Sequence, residues 1–222
     1  MNVCLVTDRR RLADADAPAA DVARLLMAQA RVAVGAGVDV IQVRERDLPS
    51  ADLSALVADL LAVTRGSPTR LVVNDRLDVA LACRADGVHL RSDSIAPADA
   101  RRLAPAGFLI GRSVHTADEA RDASGADYLV AGAVFATPSK PGMTRWLGLE
   151  GLRSIVRAAS VPVLAIGGVT LDRLDEIAGT GAAGIAAIGL FQPSGEGPGG
   201  AFSLDDVVSR VHQRFDSLRA AP

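Results

Sequence analysis

Residues Val161–Phe191 read VPVLAIGGVTLDRLDEIAGTGAAGIAAIGLF, and the fold follows from this stretch. A short apolar run ends in Gly167-Gly168, a helical stretch follows, and a second short apolar run ends at Gly189. Each run has the length and composition of a strand buried on both faces. The piece between has room for one crossover helix, so two parallel strands are predicted. Where a parallel strand hands over to a helix, glycine lets backbone N–H groups approach a ligand with no Cβ in the way, which is how a phosphate is held. In a (β/α)8 barrel the phosphate cup is built after strands 7 and 8, late in the chain, where this unit lies. Tight turns in any βαβ unit would explain the same glycines. Their recurrence at both C-terminal strand ends, the side on which such sheets bind ligands, favours a phosphate.

Upstream, the same alternation repeats. Strands are predicted at 3–7, 38–43, 70–73, 87–90, 108–111 and 127–135. Helices are predicted at about 19–35 after Pro18, 50–65 with Ser50 as cap, 77–83, 98–103, and from Thr116, whose Thr-Ala-Asp-Glu box lets Glu119 reach back to the cap. Residues 136–147, rich in Pro and Gly and carrying Trp146, read as a longer loop able to close over a ligand. A Gly/Pro-rich stretch at 192–201 leads to a closing amphipathic helix at 204–218. Eight strand–helix pairs give one α/β domain, a (β/α)8 barrel, over residues 1–222.

A net charge of -2 gives no electrostatic case for nucleic acid or membrane. The apolar runs are strand-sized and the N-terminus starts directly with a strand, so a soluble cytoplasmic protein is expected, with homo-oligomerisation left open. Cys4 and Cys83 sit in apolar stretches without metal-ligand spacing and read as buried free thiols. Of 24 basic residues the single lysine is Lys140, all others being arginine. A compact ammonium kept in so arginine-biased a chain suggests a geometric requirement, against the alternative of chance survival on a solvated surface.

Polar residues gather where strands end. Alternation after strand 2 sends Gln42, Arg44 and Arg46 to one face and Val43, Glu45 and Asp47 to the other. Asn74, Asp75, Asp93, Ser113, Thr137, Ser139 and Lys140 also follow strands, and in a (β/α)8 barrel those ends converge on the active-site face. Cations, hydroxyls and a glycine cup suit polyphosphate, and Asp75 with Asp93 could hold a magnesium that binds mainly phosphate oxygens. His89 and His115, at strand ends, read as hydrogen-bonded structure ahead of catalyst.

The blocks QVRER, VNDRLDVAL, ADGVHL, GRSVHTADEA, DYLVAGAVFATPSKPG, VPVLAIGGVT and GIAAIGLF, in this order, resemble the thiamine phosphate synthase and TenI superfamily, a set of (β/α)8 barrels in thiamine biosynthesis. The resemblance implies joining hydroxymethylpyrimidine diphosphate to thiazole phosphate with release of diphosphate. It implies Gln42 on the aminopyrimidine, Arg44, Ser113 and Lys140 on the diphosphate, Asn74 on pyrimidine and phosphate, and Asp75 on Mg2+. Thr137 and Ser139 correspond to the hydroxyls of a T-x-T-K loop, and Gly168, Ile188 and Gly189 to the thiazole phosphate cup. Three departures stand out. The usual second metal aspartate is Ser94 here, with Asp93 one residue earlier; the usual lysine of the QLREK block is Arg46; and the tautomerase histidine of the TenI branch is Ala133. The rivals to the synthase are a TenI-like thiazole tautomerase and a non-catalytic barrel that binds a thiamine-pathway phosphate.

Overall fold

Short runs of valine, isoleucine, leucine and alanine, apolar on both faces, can be buried only if a sheet is covered outside and filled inside, and the chain meets both conditions. The computed structural model describes residues 1–137, 142, 144–192 and 203–219. Eight parallel strands, β1 (Val3–Val6), β2 (Val40–Val43), β3 (Arg70–Asn74), β4 (Gly87–Leu90), β5 (Leu109–Val114), β6 (Tyr128–Gly132), β7 (Val163–Ile166) and β8 (Gly184–Ala187), pair in chain order. The barrel closes where β8 pairs with β1, with Cys4 opposite Ala186. Helices α1 (Ala19–Gly35), α2 (Ser50–Thr64), α3 (Leu77–Ala82), α4 (Pro97–Leu103), α5 (Ala117–Arg121), α6 (Gly148–Ala158), α7 (Leu174–Ala178) and α8 (Leu204–Arg219) alternate with the strands. Among the described residues no helix is long and apolar enough to cross a membrane.

Two separate apolar layers result. The outer one joins strand residues such as Ile41, Leu71 and Leu129 to Ala30, Leu60 and Leu152 of the helices. The inner one, Cys4, Val6, Val40, Val72, Tyr128, Val130, Leu164 and Ala186, fills the barrel, so the lumen is packed rather than open. Cys4 belongs to this inner layer, and burial pushes its thiol up to about 12. Cys83 is also a free thiol but only partly buried.

Three local expectations change. Ser50 is the first helical residue and Pro49 the cap; the Ser50 hydroxyl instead accepts a hydrogen bond from Arg76 at 2.9 Å. At α5 Thr116 does cap, accepting from the Glu119 N–H at 3.1 Å, but the Glu119 carboxylate reaches one residue further back, to the His115 N–H at 2.6 Å. Strand β5 runs on to Val114, past the predicted end at residue 111, because Arg112 and Ser113 continue the pairing register opposite Leu129 and Val130.

One glycine sets the floor of the barrel. A Cβ on Gly111 would lie 2.2 Å from the Tyr128 ring and 2.5 Å from the His89 Nδ1, so only glycine lets these two rings share the lumen. Gly111→Ala is expected to destabilise the fold by about 1–3 kcal/mol, the usual cost of overpacking a filled core. Urea unfolding midpoints check this, and a parental midpoint would mean that the two rings have somewhere else to go.

Candidate active site

At the C-terminal end of β2 the alternation expected of residues 42–47 resolves into a clamp. The Thr7 hydroxyl donates to Glu45 at 2.6 Å and accepts from the Arg44 N–H at 2.9 Å. Arg9 donates from its backbone and guanidinium to Glu45, and Arg9 and Arg10 both pair with Asp47. The Arg9 bond holds the Asp47 carboxyl down at about 2. Glu45, 4% exposed, therefore ties β2 to the turn after β1 and fixes the backbone from which Arg44 projects. The Arg44 guanidinium is partly buried, and burial first, then repulsion from Arg46 and Arg91, lowers its pKa. Among the described residues it makes no ion pair. A guanidinium cannot discharge itself by losing a proton, so this charge stands ready for an anion. Arg46 is exposed beside it.

Next to this cation, the Gln42 side-chain N–H donates to the Asn74 oxygen at 3.0 Å, and both residues are buried. Asp75 follows at a positive φ of 65°, a conformation that Asp tolerates better than most residues, and its N–H donates to the His89 carbonyl at 2.8 Å. The Ser94 hydroxyl donates to the Asp75 carboxylate. Arg91 spans the two predicted metal aspartates, 3.7 Å from Asp75 and 2.5 Å from Asp93. Asp93 is thus paired with an arginine, and the side chain hydrogen-bonded to the Asp75 carboxylate is that of Ser94. Among the described residues no group of three or more His, Cys, Asp or Glu side chains is placed to hold a metal. Arg112 secures the loop, donating to the carbonyls of Ser92, Ser94 and Ile95 at 2.8, 3.3 and 2.8 Å.

Below this loop lies a chain of three groups, two of them buried. His89 Nδ1 is 3.2 Å from the Tyr128 hydroxyl, and His89 Nε2 is 2.9 Å from the Ser113 hydroxyl. Burial, aided by Arg112, lowers the His89 pKa from 6.5 to about 3, so the imidazole is neutral at working pH. Below pH 6.5 the unfolded chain takes up a proton at residue 89 that the folded chain refuses, so stability falls as pH drops toward 3. The expected slope is about 1.4 kcal/mol per pH unit. Unfolding curves between pH 6.5 and 5 test this; His89→Gln should be flatter by that amount, and an equal slope would contradict it. His115 plays a different part, its Nδ1 donating to the Gly132 carbonyl at 2.5 Å.

On the far side, Gly168 has a positive φ of 62°, and a Cβ there would lie 2.4 Å from the Ala136 carbonyl oxygen. Packing against the loop after β6 is therefore reason enough for that glycine. Gly189 differs: its φ is not in the left-handed region, and the nearest atom to an added Cβ is Arg11 Nη1 at 4.0 Å. Neither conformation nor packing demands glycine there. Arg173 caps this side, donating to the Gly168 carbonyl at 3.3 Å and lying 4.2 Å over the Phe135 ring. Thr137 lies partly exposed on the loop after β6, and Ser139 and Lys140 lie outside the described residues.

The structure thus brings Gln42, Arg44, Asn74, Asp75 and Ser113 to the C-terminal ends of adjacent strands β2–β5, with Gly168, Ile188 and Gly189 following β7 and β8. Arg91, Arg112, Tyr128 and Arg173 were missed by sequence reasoning, and Ser94 was named only as the residue standing at the usual second aspartate position. Tyr128 carried a signal, being the only tyrosine in the chain. The arginines carried none in so arginine-rich a sequence.

A family profile described as thiamine monophosphate synthase matches residues 4–191, which include all of these positions. The chain belongs to the thiamine monophosphate synthase family. The thiamine-phosphate synthase of Methanoregula boonei is 41% identical over 194 residues, covering 86% of this chain and 90% of the relative. That of Methanoculleus marisnigri is 40% identical over 182 residues, covering 81% and 86%. Among solved structures, the thiamine phosphate pyrophosphorylase of Pyrococcus furiosus superposes with a TM-score of 0.77 at 34% identity, over 98% of this chain and 96% of that one. Membership in the thiamine monophosphate synthase family accounts for the (β/α)8 architecture.

Proposed function

We propose that this chain joins hydroxymethylpyrimidine diphosphate to thiazole phosphate, forming thiamine phosphate and releasing diphosphate. The observation that carries the reading is the partly buried Arg44 guanidinium, unpaired among the described residues, beside the Gln42–Asn74 amide pair and Asp75. The amides can hold the aminopyrimidine edge while Arg44, Ser113 and Lys140 take the diphosphate. As the bond from the pyrimidine methylene to the diphosphate oxygen breaks, the bonding electrons leave with diphosphate and the electron-rich ring stabilises the methylene cation. The thiazole nitrogen then supplies the electron pair for the new C–N bond. Fixed donors aimed at the departing charge are the protein's main contribution, and no general base is needed. Gly168, Ile188 and Gly189, with Thr137 and Ser139, would hold the thiazole phosphate.

Magnesium fits the donor set as an oxygen-only site, with Asp75 and the Ser94 hydroxyl on the protein side; Asp93 would join only by releasing Arg91. When bound, the ion would neutralise diphosphate charge.

Purified protein given both precursors should form thiamine phosphate with Mg2+ and lose most of that activity in excess chelator. Asp75→Asn should raise the Mg2+ concentration needed for half-maximal rate by at least about tenfold, since a carboxylate ligand is lost. Absence of product with binding of thiazole phosphate alone would point to the non-catalytic barrel. Interconversion of thiazole carboxylate isomers would point to the tautomerase, against Ala133.

A further inference from the structure

The chain Tyr128–His89–Ser113, buried at its tyrosine end, has two possible hydrogen-bond directions, and they are not equivalent. In one, the Tyr128 hydroxyl donates to Nδ1, Nε2–H donates to the Ser113 oxygen, and the Ser113 hydrogen is left over. In the other, the Ser113 hydroxyl donates to Nε2, Nδ1–H donates to the phenol oxygen, and the Tyr128 hydrogen is left over. Tyr128 is 1% exposed, and His89 is its only hydrogen-bond partner among the described residues. A Cβ on Gly111 would sit 2.4 Å from the Tyr128 hydroxyl, which shows how closely that side is packed. Ser113 is only partly buried, at the end of β5 that faces the strand-end site. An unmade hydrogen bond is costly at the buried end and harmless at the accessible end, so the first direction is selected.

We propose that Tyr128 and His89 are positioning residues that set the hydrogen-bond polarity of Ser113, making its hydroxyl a fixed donor to an anionic oxygen at the barrel mouth. The proposal rests on the reading of that mouth as a diphosphate site. A serine that donated to the imidazole would offer the anion only lone pairs and repel it. With its oxygen already engaged by Nε2–H, the hydroxyl can rotate only through positions that keep the hydrogen outward. The buried histidine, engaged by a hydroxyl at each ring nitrogen, therefore transfers no proton, which agrees with its staying neutral down to about pH 3. It passes an orientation from the barrel floor to the rim, and the tyrosine at its far end decides which orientation.

The tautomer is read from a long-range 1H–15N correlation spectrum of the whole protein labelled at histidine nitrogens, with His89→Gln assigning the resonances. The expected parent carries its proton on Nε2 with a bare Nδ1, and Tyr128→Phe, which keeps the ring volume, should give a mixture of tautomers. A proton on Nδ1 in the parent overturns the proposal. In steady-state assays of thiamine phosphate formation, Tyr128→Phe should lower kcat/KM by about tenfold, the worth of one oriented hydrogen bond. It should cost nothing further in a Ser113→Ala background. Equal losses in both backgrounds would mark a merely structural tyrosine and overturn the proposal. Should the parent form no thiamine phosphate, the functional reading fails separately, and the same four-protein cycle on the Kd of inorganic diphosphate decides the inference by the same criterion.

Discussion

Arg44→Ala is expected to lower kcat/KM for thiamine phosphate formation by on the order of 10²–10³ while leaving the fold intact, because one preorganised charge aimed at a leaving group is worth that much. The clamp of Thr7 and Glu45 holds the backbone of residue 44 through main-chain and side-chain bonds that do not involve its guanidinium. Truncation should therefore spare the strand end. Since burial, and after it repulsion from Arg46, outweighs the attraction of Asp8 and Glu45 on the Arg44 charge, its removal is expected to leave thermal stability unchanged or slightly higher, the usual signature of a site strained for function. Steady-state rates and melting curves on the one variant test both halves. A rate near parental would remove Arg44 from the diphosphate site, and a melting point far below parental would make it structural.

Lys140→Ala should reduce kcat itself by a similar factor, on the order of 10²–10³, with a smaller change in KM. The argument is compositional: a single lysine survives among otherwise uniform arginines, within the Thr137-Pro138-Ser139-Lys140 run. An ammonium that follows negative charge as the C–O bond breaks stabilises the transition state more than the bound substrate, so the loss falls on kcat. Lys140→Arg should recover only part of it, because a planar fork does not reproduce a point contact. A parental kcat in Lys140→Ala would make the lone lysine a surface accident.

The order of strands and helices was legible because period and length distinguish fully buried strands from amphipathic helices, and the C-terminal strand ends then locate the site without coordinates. Gln42, Arg44, Asn74, Asp75 and Ser113 fall there as read. What escaped was every relation between side chains of different elements. Nothing in the residues 42–47 says that Glu45 turns to Thr7 across the β1–β2 seam. Nothing near residue 91 says that its guanidinium would lie between Asp75 and Asp93; the place of Ser94 beside Asp75 was legible only through the family resemblance, which puts residue 94 at the usual second aspartate position. Polar partners tens of residues apart are chosen by the closed barrel, and their one-dimensional pattern is that of ordinary loop polarity. The lumen was equally hidden: His89 and Tyr128 belong to one chain of hydrogen bonds only because Gly111 lacks a side chain.

The pairing of β8 with β1 also governs how the molecule is made. During synthesis the first strand leaves the ribosome with only one of its two neighbours to follow promptly, while the other, β8, is not complete until residue 187. Until then the nascent sheet has two unpaired edges, each an invitation to another chain. Sealing this seam is the contact of greatest sequence separation in the sheet, so it carries the largest loop-closure cost and should come late in folding. Truncations ending before β8 should therefore accumulate as aggregates rather than as smaller soluble barrels.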